Sequence, residues 1–183
     1  MPQTRPSLTD LYAAAGAVAK AGKGLPPVHL WNPERCGDID IVIRRDGSWA
    51  HEGTPIGRPA LVRLFSTVLR RDEDGYYLVT PAERLRITVE DAPFVAIGCE
   101  HDADLLRFAT NVGDAIEAGP EHAIRVETGA DGQPRPYLHV RAGLEALIAR
   151  PVFYQLVELG RPREGRLAVA SNGCWFDLGP LGA

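Results

Sequence analysis

Lysine, methionine and cysteine are all scarce in this chain of 183 residues. Lys20 and Lys23 are its only lysines, the other basic residues being arginines, and it has one methionine. The arginine bias by itself points to no ligand. The three cysteines, Cys36, Cys99 and Cys174, are far apart, odd in number and form no C-x-x-C pair. That pattern excludes a disulfide scaffold and suits a reducing, cytoplasmic compartment. No stretch approaches the roughly 20 consecutive apolar residues of a membrane span. The early run Ala13-Ala14-Ala15-Gly16-Ala17-Val18-Ala19 does not read as a signal peptide. Asp10 interrupts its start, Arg5 is its only preceding basic residue, and both lysines follow it. Positive charge is not in excess either. The net charge is −4 and the pI about 5.7, which disfavours nucleic acid as a partner. No G-x-G-x-x-G, P-loop, G-x-S-x-G or H-E-x-x-H string occurs. Hence no cofactor is expected, and the chain is read as a binding protein rather than an enzyme.

What is present is the composition of a folded protein. Hydrophobic residues make up 45% and charged residues 24%, close to ordinary globular usage and unlike a disordered chain. The 19 glycines and 15 prolines are scattered, which predicts many short elements joined by turns. The charge is uneven. Residues 1–92 carry 12 basic and 12 acidic side chains, whereas residues 93–183 carry 8 arginines against 12 acids.

Ser7-Leu8-Thr9-Asp10 predicts a capped helix start, with Gly22 and Gly24 as its stop. Leu25 to Pro33 reads as an extended linker whose Val28, Leu30 and Trp31 pack on a body. Ile39, Ile41 and Ile43 alternate with polar residues, and Asp46-Gly47 suits a hairpin turn to a return strand from Trp49 to Gly53. Pro59 leads a helix with Ala60, Leu61, Leu64, Phe65, Val68 and Leu69 on one face. Strands follow at Tyr76 to Thr80 and Arg84 to Glu90. Residues 94–127 are read as strands, because Asn111 to Asp114 and Gly119-Pro120 punctuate them. The competing reading makes residues 104–118 helical. Then come a strand at Ala123 to Thr128, an Asp131-Gly132 turn, a strand at Tyr137 to Val140, and a helix from Gly143 to Leu159 that Pro151 kinks or restarts. Arg166 to Ala170 and Cys174 to Leu178 close the chain around Ser171-Asn172-Gly173. The order strand, turn, strand, helix, strand, turn, strand thus occurs twice. The expected architecture is α+β. An N-terminal helix and linker (1–24) precede two similar, small units (25–93 and 94–183) that lean on one another, as a duplication would leave them.

Several strings carry a family resemblance. They are Leu25-Pro26-Pro27-Val28 with Trp31-Asn32-Pro33, Cys36-Gly37-Asp38-Ile39-Asp40, Asp46-Gly47-Ser48-Trp49, Glu52-Gly53-Thr54-Pro55-Ile56 and Arg58-Pro59-Ala60-Leu61-Val62-Arg63-Leu64-Phe65. Thr80-Pro81-Ala82-Glu83, Val89-Glu90-Asp91-Ala92-Pro93-Phe94, Thr110-Asn111 and Arg150-Pro151-Val152-Phe153-Tyr154 complete the set. Together they resemble the uncharacterised bacterial family called domain of unknown function 1285, from about Leu25 to the C-terminus. The resemblance implies two related α+β units, the second superficially like a pleckstrin-homology barrel. It also implies a ligand-binding surface between them and a role in signalling or regulation. It supplies no activity.

The chemistry-bearing residues are weighed against plainer roles. Asp38 and Asp40, two apart on a strand, leave one face and form a carboxylate pair for a cation or for acid–base work. The plainer role is a solvated face opposite the isoleucines. Trp49, His51 and Glu52 lie on the return strand. Glu83 and Glu90 to Phe94 combine carboxylates with prolines at strand ends, either as a binding rim or as bend chemistry. Arg58 precedes a helix, as an anion site or an ion-pair partner. Cys99 and His101 need two further ligands, such as Cys36 and His122, to hold zinc, so no metal is expected. No context marks Cys36 or Cys99 as an activated nucleophile. The reading is a cytoplasmic binding or regulatory module for an unidentified small molecule or protein partner. Its ligand-binding residues are Trp31, Asp38, Asp40, Trp49, His51, Arg58, Glu83 and Phe94, at a groove between the units. A small hydrolase using Asp38, Asp40, His51 or Glu83 is the alternative, and a protein–protein adaptor the third reading.

Overall fold

A computed structural model describes residues 6–181. The chain divides into two compact units, Met1–Asp91 and Ala92–Ala183. Within the described residues, no helix is long and apolar enough to cross a membrane.

The first unit opens with α1 (Leu8–Ala21). The Ser7 hydroxyl accepts from the Asp10 backbone N–H at 3.1 Å and donates to the Asp10 carboxylate at 2.7 Å. This satisfies one of the free donors at the helix start. An isolated 14-residue helix is marginal in water, so α1 depends on packing. It buries Leu11 and Ala15 and lies against α2 (Pro59–Thr67).

Six strands form the sheet of this unit: β1 (Cys36–Ile43), β2 (Trp49–His51), β3 (Thr54–Pro55), β4 (Leu69–Asp72), β5 (Gly75–Val79) and β6 (Arg84–Val89). Their order is β3-β2-β1-β6-β5-β4. β1 and β6 are parallel neighbours, and each other pair is antiparallel. The alternation of β1 is kept in space: Ile39, Ile41 and Ile43 are buried, and Asp38 and Asp40 are exposed. The Asp46-Gly47 turn forms as its residues require. Gly47 sits at φ 86°, a left-handed conformation that glycine adopts without a Cβ clash. Over the apolar face, Phe65 of α2 stacks on Trp49 with ring centres 6.5 Å apart.

The linker is tied down by its backbone. A short 3₁₀ turn, Val28–Leu30, interrupts the extended run, and Leu30 points outward, 67% exposed. The anchor is Arg70 on β4. Its guanidinium donates to the Val28 carbonyl at 3.0 Å and the Trp31 carbonyl at 2.7 Å. The other side of the same group grips both oxygens of Asp72, at 2.7 and 2.9 Å. The arginine fork suits such two-sided donation.

The second unit repeats the sheet. Its strands are β7 (Phe94–Asp102), β8 (Leu105–Thr110), β9 (Ala115–Glu117), β10 (Ile124–Thr128), β11 (Pro134–Arg141) and β12 (Leu144–Ile148). Their order is β10-β11-β12-β7-β8-β9, with β12 parallel to β7. Read from the other edge, this is the order of the first sheet strand for strand. The similarity of the two units is therefore one of sheet topology. Residues 105–110 and 115–117 are strands, as the turn signals around them predict.

One expected element is corrected. The helix read from Gly143 to Leu159 begins only at Arg150, as α3 (Arg150–Leu159), with Pro151 in its first turn. The segment before it is β12. Leu144, Ala146 and Ile148 alternate as buried residues, and the strand is held between β11 and β7. After α3, a three-stranded sheet closes the unit: β13 (Arg161–Arg163), β14 (Arg166–Ser171) and β15 (Cys174–Pro180). Ser171 is fully buried and ties this sheet to the larger one. Its hydroxyl accepts from the Leu106 N–H at 2.9 Å and donates to the Ala118 carbonyl at 2.7 Å.

Both polar ties are testable by urea denaturation. Arg70→Ala strands two carbonyls and a carboxylate and is expected to cost about 2 kcal/mol, with Arg70→Lys restoring only part of it. Ser171→Ala leaves a buried donor and acceptor unmatched and is expected to cost about 2 kcal/mol. Wild-type stability in Arg70→Ala would show that the linker is held by other means.

Candidate functional site

The concave feature of the first unit arises where α1 meets α2. On α1, Leu8, Tyr12, Gly16 and Ala19 or Lys20 recur every three or four residues and form one stripe. The neighbouring stripe, Leu11 and Ala15, is buried. On α2, Ala60, Leu61 and Leu64 face the same space, while Phe65 and Ser66 turn inward. Between the helices lies a groove of about 640 Å³ lined by these two stripes and Arg58, within the range of small-molecule sites.

Three properties distinguish the groove. Its walls are largely apolar, and Tyr12 is 54% exposed there. Its middle is Gly16. A Cβ built at that position meets nothing within 4 Å, so packing does not require glycine. A mid-helix glycine costs about 0.5–1 kcal/mol relative to alanine, and its effect here is an uncovered stretch of groove. The groove's charged residues among those described are Lys20 and Arg58, with no carboxylate beside them in the lining. Among the described residues, neither cation has a side-chain hydrogen bond or ion pair. The nearby Asp10 is engaged by Ser7.

The residues singled out from sequence are placed as follows. Arg58 lines the groove, at the N-cap of α2. Trp31 is half-buried in the linker, its carbonyl held by Arg70. Asp38 and Asp40 share the exposed face of β1, where Asp38 is in register with Arg86. Trp49 and His51 stand opposite Ile43 and Ile41, so they leave the sheet on the isoleucine face, away from the two aspartates. Trp49 is only 2% exposed, and its indole Nε1 is buried without a hydrogen-bond partner. His51 is half-buried. Glu83 is 5% exposed, closes a turn with Thr80, and pairs with Arg35 at 3.6 Å. Phe94 belongs to the second unit. It is fully buried there, with the Arg141 guanidinium 4.9 Å from its ring centre.

The α1 stripe was not among the expected site residues. Its signal is in the sequence: Leu8, Tyr12 and Gly16 at intervals of four, with a glycine inside an alanine-rich helix. Sequence alone does not say which stripe of a small-residue helix faces its neighbour.

The second unit has its own cleft of about 610 Å³, lined in part by Arg107, Glu117, His122 and Asn172. Its lining arginine is already engaged, since Arg107 donates to Glu117 at 2.8 and 3.2 Å, and Glu121 adds a second acid. His122 Nδ1 lies 3.1 Å from the His139 carbonyl. Among the described residues, no group of three or more His, Cys, Asp or Glu side chains is arranged to hold a metal.

Comparison with known proteins places the chain. Residues 26–92 match the N-terminal domain of DUF1285, a domain of unknown function, and residues 93–178 match the C-terminal domain of the same family. The crystal structure of a DUF1285 family protein from Silicibacter pomeroyi DSS-3 is similar with a TM-score of 0.87 at 49% identity, covering 97% of each chain. A second DUF1285 family crystal structure, from Shewanella baltica OS155, has a TM-score of 0.52 at 28% identity. It covers 64% of this chain and 90% of its own. No curated protein matches. Two consecutive domain matches and a relative of nearly equal length agree: this chain belongs to the DUF1285 family.

Proposed function

We propose that the protein is a small-molecule binding module whose site is the groove between α1 and α2, and that binding is its means of regulating other processes. One observation carries this reading. The groove combines an apolar wall, an uncovered glycine and two cations without partners among the described residues, which is a few polar groups in an apolar concavity. A helix that buries only two side chains is sparsely held and able to respond to whether the groove is filled.

The hydrolase alternative finds less support. A carboxylate and a histidine acting together must come within hydrogen-bond reach. Asp38 and Asp40 leave one face of the sheet and His51 the other. Glu83 is already paired with Arg35. Thiol chemistry is likewise disfavoured at Cys99. Burial, with a smaller contribution from the Glu100 carboxylate, pushes its thiol up to about 11. At neutral pH it stays protonated and is a weak nucleophile.

The neutral dye Nile red tests the groove. It is expected to bind the native protein saturably with one site per chain. Gly16→Phe, which fills the groove, should weaken binding at least tenfold. Gly16→Ala should keep binding and raise stability by about 0.5–1 kcal/mol. Undiminished dye binding in a folded Gly16→Phe protein places the site elsewhere. For the thiols, iodoacetamide at pH 8 should label exposed Cys36 well before Cys99, and Cys99 should speed up steadily as pH rises toward 11. Equal rates at pH 8 would mean that Cys99 is activated.

A further inference from the structure

We infer that the ligand of this groove is a single-chain amphipathic anion, such as a fatty carboxylate, with its alkyl chain along the α1 stripe and its anionic head held by Lys20 and Arg58. This rests on the binding reading above and goes further by naming the ligand's chemistry. The stripe from Leu8 to Lys20 covers twelve residue-to-residue steps, about 18 Å at the helical rise. The groove's lining residues run along the length of α1. Its walls include Leu8, Tyr12, Ala19, Leu61 and Leu64, which offer mainly methyl and ring surface, with the Thr9 hydroxyl at the start of α1. The small residues at 16 and 19 let a slender chain approach the helix closely, and a flat polycyclic body would gain less from them.

The charge is complementary to an anion. Many arginines in this protein are used internally: Arg70 by Asp72, Arg107 by Glu117, Arg125 by Glu145 and Arg166 by Asp177. Lys20 and Arg58 have no such partner among the described residues, and both belong to one groove without a carboxylate. A cationic or neutral head would leave these charges uncompensated, whereas a carboxylate offers two acceptor oxygens to the Arg58 fork. An amphipathic peptide helix is the competing occupant. The groove volume of about 640 Å³ favours the smaller molecule, because it lies inside the range for small ligands.

The test is displacement of Nile red from the full chain, below micelle formation. Dodecanoate is expected to displace the dye, with dodecanol at least fivefold weaker and dodecyltrimethylammonium weaker still. Affinity should rise about two- to fourfold per methylene from octanoate to dodecanoate. It should fall as salt is raised from 50 to 500 mM, since exposed charges are screened. Lys20→Gln and Arg58→Gln should each weaken dodecanoate several-fold and shrink its advantage over dodecanol, with the circular dichroism of a folded chain retained. Lys20→Gln guards against any effect of Arg58 on the start of α2. Equal affinity for the anionic and cationic amphiphiles, or insensitivity to both substitutions, would overturn the ligand class. So would displacement by an acidic amphipathic peptide but not by dodecanoate. The binding reading survives each of these outcomes provided that Gly16→Phe still abolishes dye binding, and it falls separately if that substitution does not.

Discussion

The pairing on which each unit depends is the parallel one at the centre of its sheet. β1 joins β6 in the first unit, and β7 joins β12 in the second. Each pair unites the first and last strands of its sheet, and every other neighbour in these sheets is antiparallel. Without the central pair, each unit would be two separate three-stranded meanders with edges bared to solvent. With it, the chain must complete its sixth strand before the sheet exists. The cost is loop closure over some fifty residues, which grows only slowly with length. The gain is burial on a continuous apolar face, Ile39, Ile41 and Ile43 in one unit and Leu144, Ala146 and Ile148 in the other.

The two units cover that face differently. In the first, a helix is inserted between the third and fourth strands, and Phe65 of α2 stacks on Trp49. In the second, the connection from β9 to β10 contains no helix, and α3 follows the sixth strand instead, packing on β7 and β14. This difference in position has a consequence. Because α2 is fixed from below through Phe65, its Ala60, Leu61 and Leu64 are presented outward at a defined height. α1 then leans on α2 with two buried side chains. The groove is the space that this sparse contact leaves open. A ligand that touches both helices would stabilise the docked α1 by mass action, because it binds that arrangement and not the undocked one.

The strands were legible where side-chain period and turn chemistry agreed. The alternation of Ile39, Ile41 and Ile43, the Asp46-Gly47 turn and the Asn172-Gly173 turn each encode their structure locally. Asn172 at φ 48° and Gly173 at φ 74° make the left-handed pair of a two-residue hairpin. The reading failed at residues 143–149, where local signals conflicted. Leu144-Glu145-Ala146-Leu147-Ile148 has good helix propensity, and its hairpin turn is Ala142-Gly143, with Ala142 at φ 45°. Alanine rarely adopts that conformation, so the turn was not readable as one. Central sheet pairing with β7 overrode propensity there. The repeat itself was visible as an order of elements. Its true correspondence, strand for strand across the two sheets, depends on pairings between residues fifty apart that no window reveals. The candidate site was legible only at Arg58, since charge and position before a proline-led helix marked it. Tyr12 and Gly16 are ordinary residues whose meaning comes from α2.

The charges follow the same logic. Arginine outnumbers lysine heavily, and the structure uses the difference. Arg70 grips Asp72 with one side of its fork and two linker carbonyls with the other. Arg125 pairs with Glu145 and Glu127 and lies over Tyr137, 4.4 Å from the ring centre. Arg141 spans Asp114 and the face of Phe94. These planar groups fasten neighbouring segments, so much of the positive charge is neutralised where it stands, and the bulk charge says little about a partner. The informative cations are those that the fold leaves without acids. Among the described residues, Lys20 and Arg58 meet that condition on neighbouring helices, beside an apolar stripe, in the unit whose charges balance in total. A surface ion pair would add little stability there, so an acid facing them would bring the fold little, and any anion of the proposed kind would have to displace the water that solvates them.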